Sequence, residues 1–202
     1  MPSPLPRRFV FAWASIVWAA AAPVWGYSSG AGTCSYPSAG WYQMGGGQAG
    51  TGGFVIRVFD DTGPVTHYSP GATYTVEISN TAAYPGFLLQ CVRGVPGTPN
   101  LGGAGVFTWT DSALYHNGPC STPTSSVTHA FARAYPPEVR RTSDTFLWTA
   151  PAIGTGSVTF HLVGVRSQYE WYGQETLLLY TLMEGGVPVR APSWSAIKNL
   201  FR

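Results

Sequence analysis

Residues 86–93 read Gly-Phe-Leu-Leu-Gln-Cys-Val-Arg, and a run that is apolar almost throughout is expected of a central β-strand. Residues 73–79 shortly before it read Thr-Tyr-Thr-Val-Glu-Ile-Ser, so apolar and polar side chains alternate. A period of two predicts a strand with one buried face and one wet face. These two stretches indicate a β-sheet with a covered centre.

Similar patterns recur along the chain and are separated by Pro and Gly, with no long segment of 3.6-residue period between them. The predicted strands are 54–59, 73–79, 86–93, 105–110, 127–133, 142–148, 156–165 and 174–183. Short strands divided by turn-forming residues are typical of a two-layer all-β fold. The sequence therefore predicts an immunoglobulin-like, two-sheet antiparallel β-sandwich of about eight strands.

The amino-terminal 26 residues have the pattern of a secretory signal peptide. Arg7 and Arg8 give a positive start, residues 9–22 are apolar, and the small residues Val24 and Gly26 suit cleavage after position 26. The apolar run is shorter than the roughly 20 residues that span a bilayer. We expect residues 1–26 to be removed and the protein to be secreted, with no transmembrane segment left.

The remaining chain divides into a domain over 27–184 and a carboxyl tail over 185–202, in which Ser193 is placed to cap a short amphipathic helix. The full chain has 11 basic and 9 acidic residues, and two of the basic ones are the leader arginines. The domain and tail together are therefore close to neutral. Nucleic-acid binding needs a concentrated basic patch, so we expect no nucleic-acid partner.

The three cysteines are Cys34, Cys91 and Cys120, and an odd count leaves at least one unpaired within the chain. Cys91 continues the apolar run at 86–93, which predicts a buried free thiol. Cys34 and Cys120 lie among Gly, Ser, Pro and Thr, in loop-like surroundings where a disulfide can form.

Reactive chemistry has little support in the sequence. Residues 45–50 fit Gly-x-Gly-x-x-Gly, but a strand follows where dinucleotide binding needs a helix, which predicts a plain glycine-rich loop. No His-x-His or His-x₃-His pair occurs, so a metal site using His67, His129 or His161 would need distant strands to converge. We predict no catalytic residue, no metal site and no cofactor.

Aromatic residues are the better candidates for a binding surface, because exposed rings stack on sugars or anchor protein interfaces. Those predicted in or beside loops are Trp41, Tyr42, Tyr68, Tyr115, Tyr135, Tyr169, Trp171 and Tyr172. The segment 169–173 is read as a strand connection whose three adjacent rings, Tyr169, Trp171 and Tyr172, cannot all point inward. These three are the predicted ligand-binding residues, with Arg140 and Arg141 as a lesser candidate.

Four short motifs closely resemble, in order and spacing, the reelin amino-terminal (reeler) domain. They are Gly86-Phe87-Leu88-Leu89-Gln90, Val127-Thr128-His129, Phe146-Leu147-Trp148-Thr149-Ala150-Pro151 and Gly156-Ser157-Val158-Thr159-Phe160. The resemblance runs over residues 27–182 and implies an extracellular β-sandwich module in which these motif residues are structural. It also implies a Cys34–Cys120 disulfide, because reeler domains pair an early cysteine with one lying between the first two motifs.

What the resemblance implies about function is a non-catalytic recognition or adhesion module. The leader-plus-one-domain plan is similar to small defence proteins, so the expected partners are extracellular glycans, microbial surfaces or matrix proteins. The alternative is a secreted metal- or redox-associated protein related to the reeler part of ferric-chelate reductases. The chain departs from the family at Cys91, where a small residue such as Ala is usual, and in its carboxyl tail.

Overall fold

The computed structural model describes residues 47–94, 102–120, 122–131, 138, 140–167, 169–173 and 178–185. Within these ranges the chain forms twelve β-strands, with a 3-10 turn at Pro123–Ser125. The strands are β1 Val55–Asp60, β2 Gly63–Pro64, β3 His67–Tyr68, β4 Thr73–Tyr84, β5 Gly86–Arg93, β6 Val106–Thr108, β7 Tyr115–Asn117, β8 Ser126–His129, β9 Arg141–Thr149, β10 Val158–Ser167, β11 Glu170–Tyr172 and β12 Leu179–Glu184. The described part of the chain has no helix long and apolar enough to cross a membrane.

The strands form two sheets. One has five strands in the order β2-β1-β4-β9-β6, and the other has seven in the order β3-β12-β10-β5-β8-β7, with β11 also paired to β10. Neighbouring strands are antiparallel except β3 and β12, which run parallel. The predicted two-sheet sandwich is confirmed, and the parallel pair at one edge is the departure from an all-antiparallel arrangement.

Aromatic and branched side chains from both sheets fill the space between them. Tyr74, Val76 and Ile78 of β4 are all buried, as the alternation along that strand predicted. The rings of Trp148 on β9 and Phe160 on β10 meet edge to face across the interface, with centroids 4.9 Å apart. Burying one such large apolar side chain contributes about 1.5–3 kcal/mol, so this layer supplies the main stabilisation of the sandwich.

The seven-stranded sheet is covered on its outer face as well. Leu88 on β5, Val163 on β10 and Trp171 on β11 are each no more than 3% exposed, although they lie outside the central cluster. A strand covered on both faces needs apolar side chains at successive positions. This explains why residues 86–93 are apolar almost throughout, and it confirms β5 as a central strand.

The predicted strand set was incomplete. It lacks β2, β3, β7 and β11, which have only two or three residues each and are too short to show alternation. It also ended the strand at 73–79 too early, since β4 continues to Tyr84. The leader, Cys34 and the tail from residue 186 onward lie outside the described residues.

A carboxylate at the end of β12 fixes the loop between β9 and β10. The two oxygens of Glu184 accept hydrogen bonds from the backbone N–H groups of Gly154 and Gly156, at 2.7 and 2.6 Å. The Tyr68 hydroxyl donates to the Gly156 carbonyl at 2.6 Å, and burial raises the pKa of Tyr68 to about 12. The backbone hydrogen bonds to Glu184 lower its pKa, because they favour the ionised form.

Glu184→Gln is expected to lower the free energy of unfolding at pH 7. The difference between this variant and wild type should shrink as the solution is acidified. The pKa of Glu184 is lower in the folded state than its unfolded-state value of 4.5, so the ionised carboxylate stabilises the fold above pH 4.5. This stabilisation is lost as the pH falls through the folded-state pKa. Denaturant unfolding at pH 7 and at successive pH values below 4.5 checks this. Glu77→Gln is the control, since Glu77 forms only a surface ion pair with Arg57. A stability gap that stays constant with pH would contradict the prediction.

Candidate functional site

The Gly86 and His129 motifs form one cross-strand unit between β5 and β8. Leu88 pairs with Thr128 in the ladder. A Cβ on Gly86 would lie only 2.5 Å from Cε1 of the His129 ring, so only glycine leaves room for this imidazole. The backbone N–H of Phe87 donates to His129 Nδ1 at 3.0 Å, and the Thr128 hydroxyl donates to the Phe87 carbonyl at 2.7 Å. The Gly86 and His129 motifs therefore hold β5 and β8 together.

The Trp148 motif anchors the opposite sheet in a similar way. The Trp148 indole is fully buried, and its Nε1–H donates to the Ala104 carbonyl at 3.1 Å. Gly105 lies against this indole with a φ of 70°, and a Cβ there would lie 2.4 Å from Nε1. At the end of the motif the Pro151 carbonyl accepts from Gly71 N–H at 3.3 Å. The motif therefore joins β9 to the turn that precedes β4.

Gln90 links β5 to the neighbouring strand and to a cysteine. Its Nε2 lies 3.3 Å from Nδ1 of His161, whose Nε2 lies 3.3 Å from the Gly173 carbonyl. Its Oε1 lies 3.6 Å from Sγ of Cys120. Burial lowers the pKa of His161, so this imidazole stays neutral near pH 7. His161 is thus a neutral side chain that lies between Gln90 and the Gly173 carbonyl.

Cys91 on β5 is buried and carries a free thiol. Burial raises the pKa of its thiol well above the ordinary value, because a thiolate is poorly solvated in an apolar core. The reactive form of cysteine is the thiolate. Cys91 is therefore an inert part of the core.

The histidines proposed for a metal site are not brought together. His67 lies on β3 at one edge of the seven-stranded sheet, and His129 lies on β8, four strand positions away or about 19 Å at the usual spacing. Among the described residues no group of three His, Cys, Asp or Glu side chains could hold a metal ion. The metal- or redox-associated alternative gains no support from this arrangement.

The structure corrects the prediction of an exposed aromatic cluster at 169–173. Tyr169 is 69% exposed, but Trp171 and Tyr172 are 3% and 8% exposed and belong to β11. Successive strand residues point to opposite faces, and both faces are covered here. Tyr172 packs in the core between the sheets, and Trp171 is buried on the outer face of the seven-stranded sheet. Of the three proposed ligand-binding rings, only Tyr169 is available to a ligand.

Other predicted loop aromatics are also internal. Tyr68 and Tyr115 are 1% and 5% exposed. The remaining ones, Trp41, Tyr42 and Tyr135, lie outside the described residues. The end of the glycine-rich loop packs on β11, since a Cβ on Gly52 would lie 2.3 Å from the Tyr172 ring. Strand β1 begins at Val55 directly after this loop, where dinucleotide binding would need a helix.

A cleft of about 770 Å³ lies beside the first half of β9. It is lined by residues 109–111, which follow β6, by residues 140–145 at the start of β9, and by Tyr115. Arg140 and Arg141, the lesser candidates from the sequence, therefore line the cleft, and Trp109 contributes a half-buried ring. The sequence did not indicate this site as a whole, because its two sides lie about 30 residues apart in the chain.

A buried carboxylate forms the base of the cleft. Asp144 is 2% exposed, and its two oxygens accept hydrogen bonds from the hydroxyls of Tyr84 and Tyr115, the latter at 2.6 Å. Buried carboxylates are retained where hydrogen bonds satisfy them. Asp144 thus holds β4, β7 and β9 together at the cleft. The exposed part of the lining includes Asp111, Arg141, Ser143 and Thr145, and Arg140 is half-buried.

The fold and the placement of the motif residues define a β-sandwich module. The four sequence motifs build its framework, and the cleft beside β9 is open to solvent. The chain belongs to the Reeler domain family, whose model matches residues 48–182. Similar solved structures include several of F-spondin. A crystal structure of the human F-spondin reeler domain is 27% identical, covers 73% of this chain and 99% of its own, and has a TM-score of 0.56.

A structure described as the Reelin-N domain of F-spondin is also 27% identical, with coverage of 72% and 95% and a TM-score of 0.54. A second fragment of the human F-spondin reeler domain is 28% identical, with coverage of 68% and 91% and a TM-score of 0.51. These matches agree in fold and family with the resemblance carried by the four motifs.

Proposed function

We propose that this protein is a secreted, non-catalytic recognition or adhesion module of the extracellular space. Membership of the Reeler domain family supports a non-catalytic module. The observation that carries the proposal is the solvent-open cleft, in which Arg140, Arg141 and Trp109 lie together above a rigidly held base. Arginine and tryptophan are enriched where proteins recognise ligands, because one offers a planar fork of donors and the other a large flat ring.

Secretion is part of the same proposal. The leader pattern at 1–26 and the framework of a family typical of extracellular modules support it. The domain then comprises residues 27–184 and is followed by the tail at 185–202. Its ligand is a glycan, a microbial surface or a matrix protein, and a defence-type role belongs to this proposal as well.

We expect the secreted protein to contain a Cys34–Cys120 disulfide. Cys91 is buried and free, which leaves these two cysteines as the pair available within the chain. Closing a loop of 86 residues (34 to 120) stabilises the fold by about 4–5 kcal/mol in the chain-entropy model. Peptide mapping without reduction checks the pairing. Finding Cys91 in a bridge would overturn it.

Binding of the protein produced with residues 27–202 and folded under oxidising conditions tests the proposed function. The probes are a glycan array, intact bacterial and fungal cells, and purified matrix proteins. Selective and saturable binding to one of these probes is the expected result. Heat-denatured protein is the control for non-specific adhesion. Absence of saturable binding to all three classes would contradict the proposal.

A further inference from the structure

We infer that the cleft beside β9 binds an uncharged oligosaccharide, with one sugar ring packed on the Trp109 indole and the sugar hydroxyls bonded to polar groups of the lining. This inference rests on the proposed recognition function and narrows its ligand to one class, a neutral glycan. The chemical composition of the whole lining carries it, and no single charged residue does.

The described residues that line the cleft include no Ala, Val, Leu, Ile or Met. The lining consists of two aromatic residues, four with Ser or Thr hydroxyls, two aspartates and two arginines, namely Trp109 and Tyr115, then Thr110, Thr142, Ser143 and Thr145, then Asp111 and Asp144, and finally Arg140 and Arg141. Pockets for apolar ligands are lined mainly by hydrophobic side chains, and the centre of a protein–protein interface is apolar as well. A ligand whose surface is largely hydroxyl matches this lining better than a lipid or a protein side chain does.

The formal charges of the lining cancel. Two aspartates stand against two arginines, so the cleft has no net charge that would select an ion of either sign. A charged ligand would have to give up its hydration there without a surplus of opposite charge to compensate. An uncharged ligand avoids that cost, so the charge balance favours a neutral glycan over an acidic one.

Uncharged hydrogen-bonding groups are available in the cleft. Within the described part of the chain, no side-chain hydrogen bond is made by the four exposed hydroxyl residues of the lining, Thr110, Thr142, Ser143 and Thr145. A Ser or Thr hydroxyl donates one hydrogen bond and accepts through two lone pairs, as a sugar hydroxyl also does. The two kinds of hydroxyl can therefore pair in either direction.

Trp109 supplies the aromatic surface for a sugar ring. It directly follows β6, and its half-buried side chain packs against the central core cluster and also lines the cleft. Packing on the core restricts the rotamers of the indole, so little conformational freedom is lost when a ligand binds. A fixed indole offers the flat apolar face that stacks on the C–H face of a sugar.

The size of the cleft suits more than one sugar unit. Its volume of about 770 Å³ lies within the roughly 300–1,000 Å³ that is usual for small-molecule sites. Because the cleft is open to solvent, a longer chain can continue beyond it. The expected ligand is therefore a short neutral oligosaccharide or a segment of a neutral polysaccharide.

The test is a titration of neutral oligosaccharides, selected on a glycan array, against wild type and three variants made with residues 27–202. Trp109→Ala removes the ring, Trp109→Phe keeps a smaller ring, and Tyr169→Ala removes an exposed ring outside the cleft lining. We expect Trp109→Ala to bind at least about tenfold more weakly, Trp109→Phe to lose less than this, and Tyr169→Ala to match wild type within about twofold. The Tm of each protein is the folding control.

Two measurements on the wild-type protein make the test independent of whether the Trp109 variants fold. The glycans bound on the array should be uncharged, and their affinity should change by less than about twofold between about 0.05 and 0.5 M salt, because no ion pair with the ligand is screened. Selection of acidic glycans, a clear loss of affinity with salt, or equal binding by wild type and folded Trp109→Ala would overturn the inference. Binding to no glycan, with saturable binding to a matrix protein intact, would overturn the inference and leave the recognition function standing.

Discussion

Trp148→Ala is expected to lower the free energy of unfolding by about 3–5 kcal/mol, the range measured for removing a buried aromatic side chain. The indole is fully buried and packs edge to face on Phe160 and Tyr68. Its removal also leaves the Ala104 carbonyl without the indole donor. For a domain of this size the loss corresponds to a fall in Tm of roughly 6–20 °C.

Leu147→Ala is the matched control, because Leu147 is the next residue on β9 and is 48% exposed. Its substitution should change stability by no more than about 0.5 kcal/mol. Thermal or denaturant unfolding of the three proteins gives the comparison. Equal effects of the two substitutions would show that β9 does not present Trp148 to the core as described.

Gly86→Ala is expected to cost about 1–3 kcal/mol, the usual penalty for overpacking a filled site. The added methyl group would overlap the His129 ring, which is 3% exposed and held by the backbone of Phe87. The ring cannot move aside without giving up that hydrogen bond. Gly102→Ala is the control, since a Cβ there meets no atom within 4 Å.

A double-mutant cycle separates this clash from a general effect on the strand. In a His129→Ala background the space beside Gly86 is empty, so Gly86→Ala should cost much less than in wild type. Residues in direct contact are those whose substitutions fail to add. Additive costs in the two backgrounds would mean that Gly86 is needed for some reason other than the approach of His129.

The framework was predictable because its signals are local. The alternation along β4 reflects one covered face and the apolar run of β5 reflects two, and both patterns are visible within eight residues. The roles of Gly86 and Gln90 were visible only as recurring motif positions. Their partners, His129 and His161, lie 43 (129 − 86) and 71 residues away, so the contacts themselves needed the structure.

The aromatic cluster at 169–173 was misread for a similar reason. Adjacent rings on a strand point to opposite faces, and one of these faces was expected to be exposed to solvent. Trp171 and Tyr172 are both buried because β11 lies on a sheet with covered faces, and Gln48 N–H donates to the Trp171 carbonyl from far away in sequence. Burial by a distant segment leaves no trace in the local pattern.

The candidate cleft could be predicted only in part. Arg140 and Arg141 stand out in the sequence as an adjacent basic pair, but their position opposite Trp109 depends on where β6 ends. Strand length at an edge is set by pairing and not by residue type alone. The buried Asp144 also gave no sign of its tyrosine partners.

The most direct test of a recognition function at this cleft is the affinity of Arg140→Glu/Arg141→Glu for the ligand found with the wild-type protein. The control is Arg57→Glu/Arg166→Glu, which makes the same charge change at two exposed arginines outside the cleft. The account predicts a loss of at least about tenfold for the cleft variant and little change for the control, with both proteins folded. Equal affinities of the two variants would place the binding surface elsewhere.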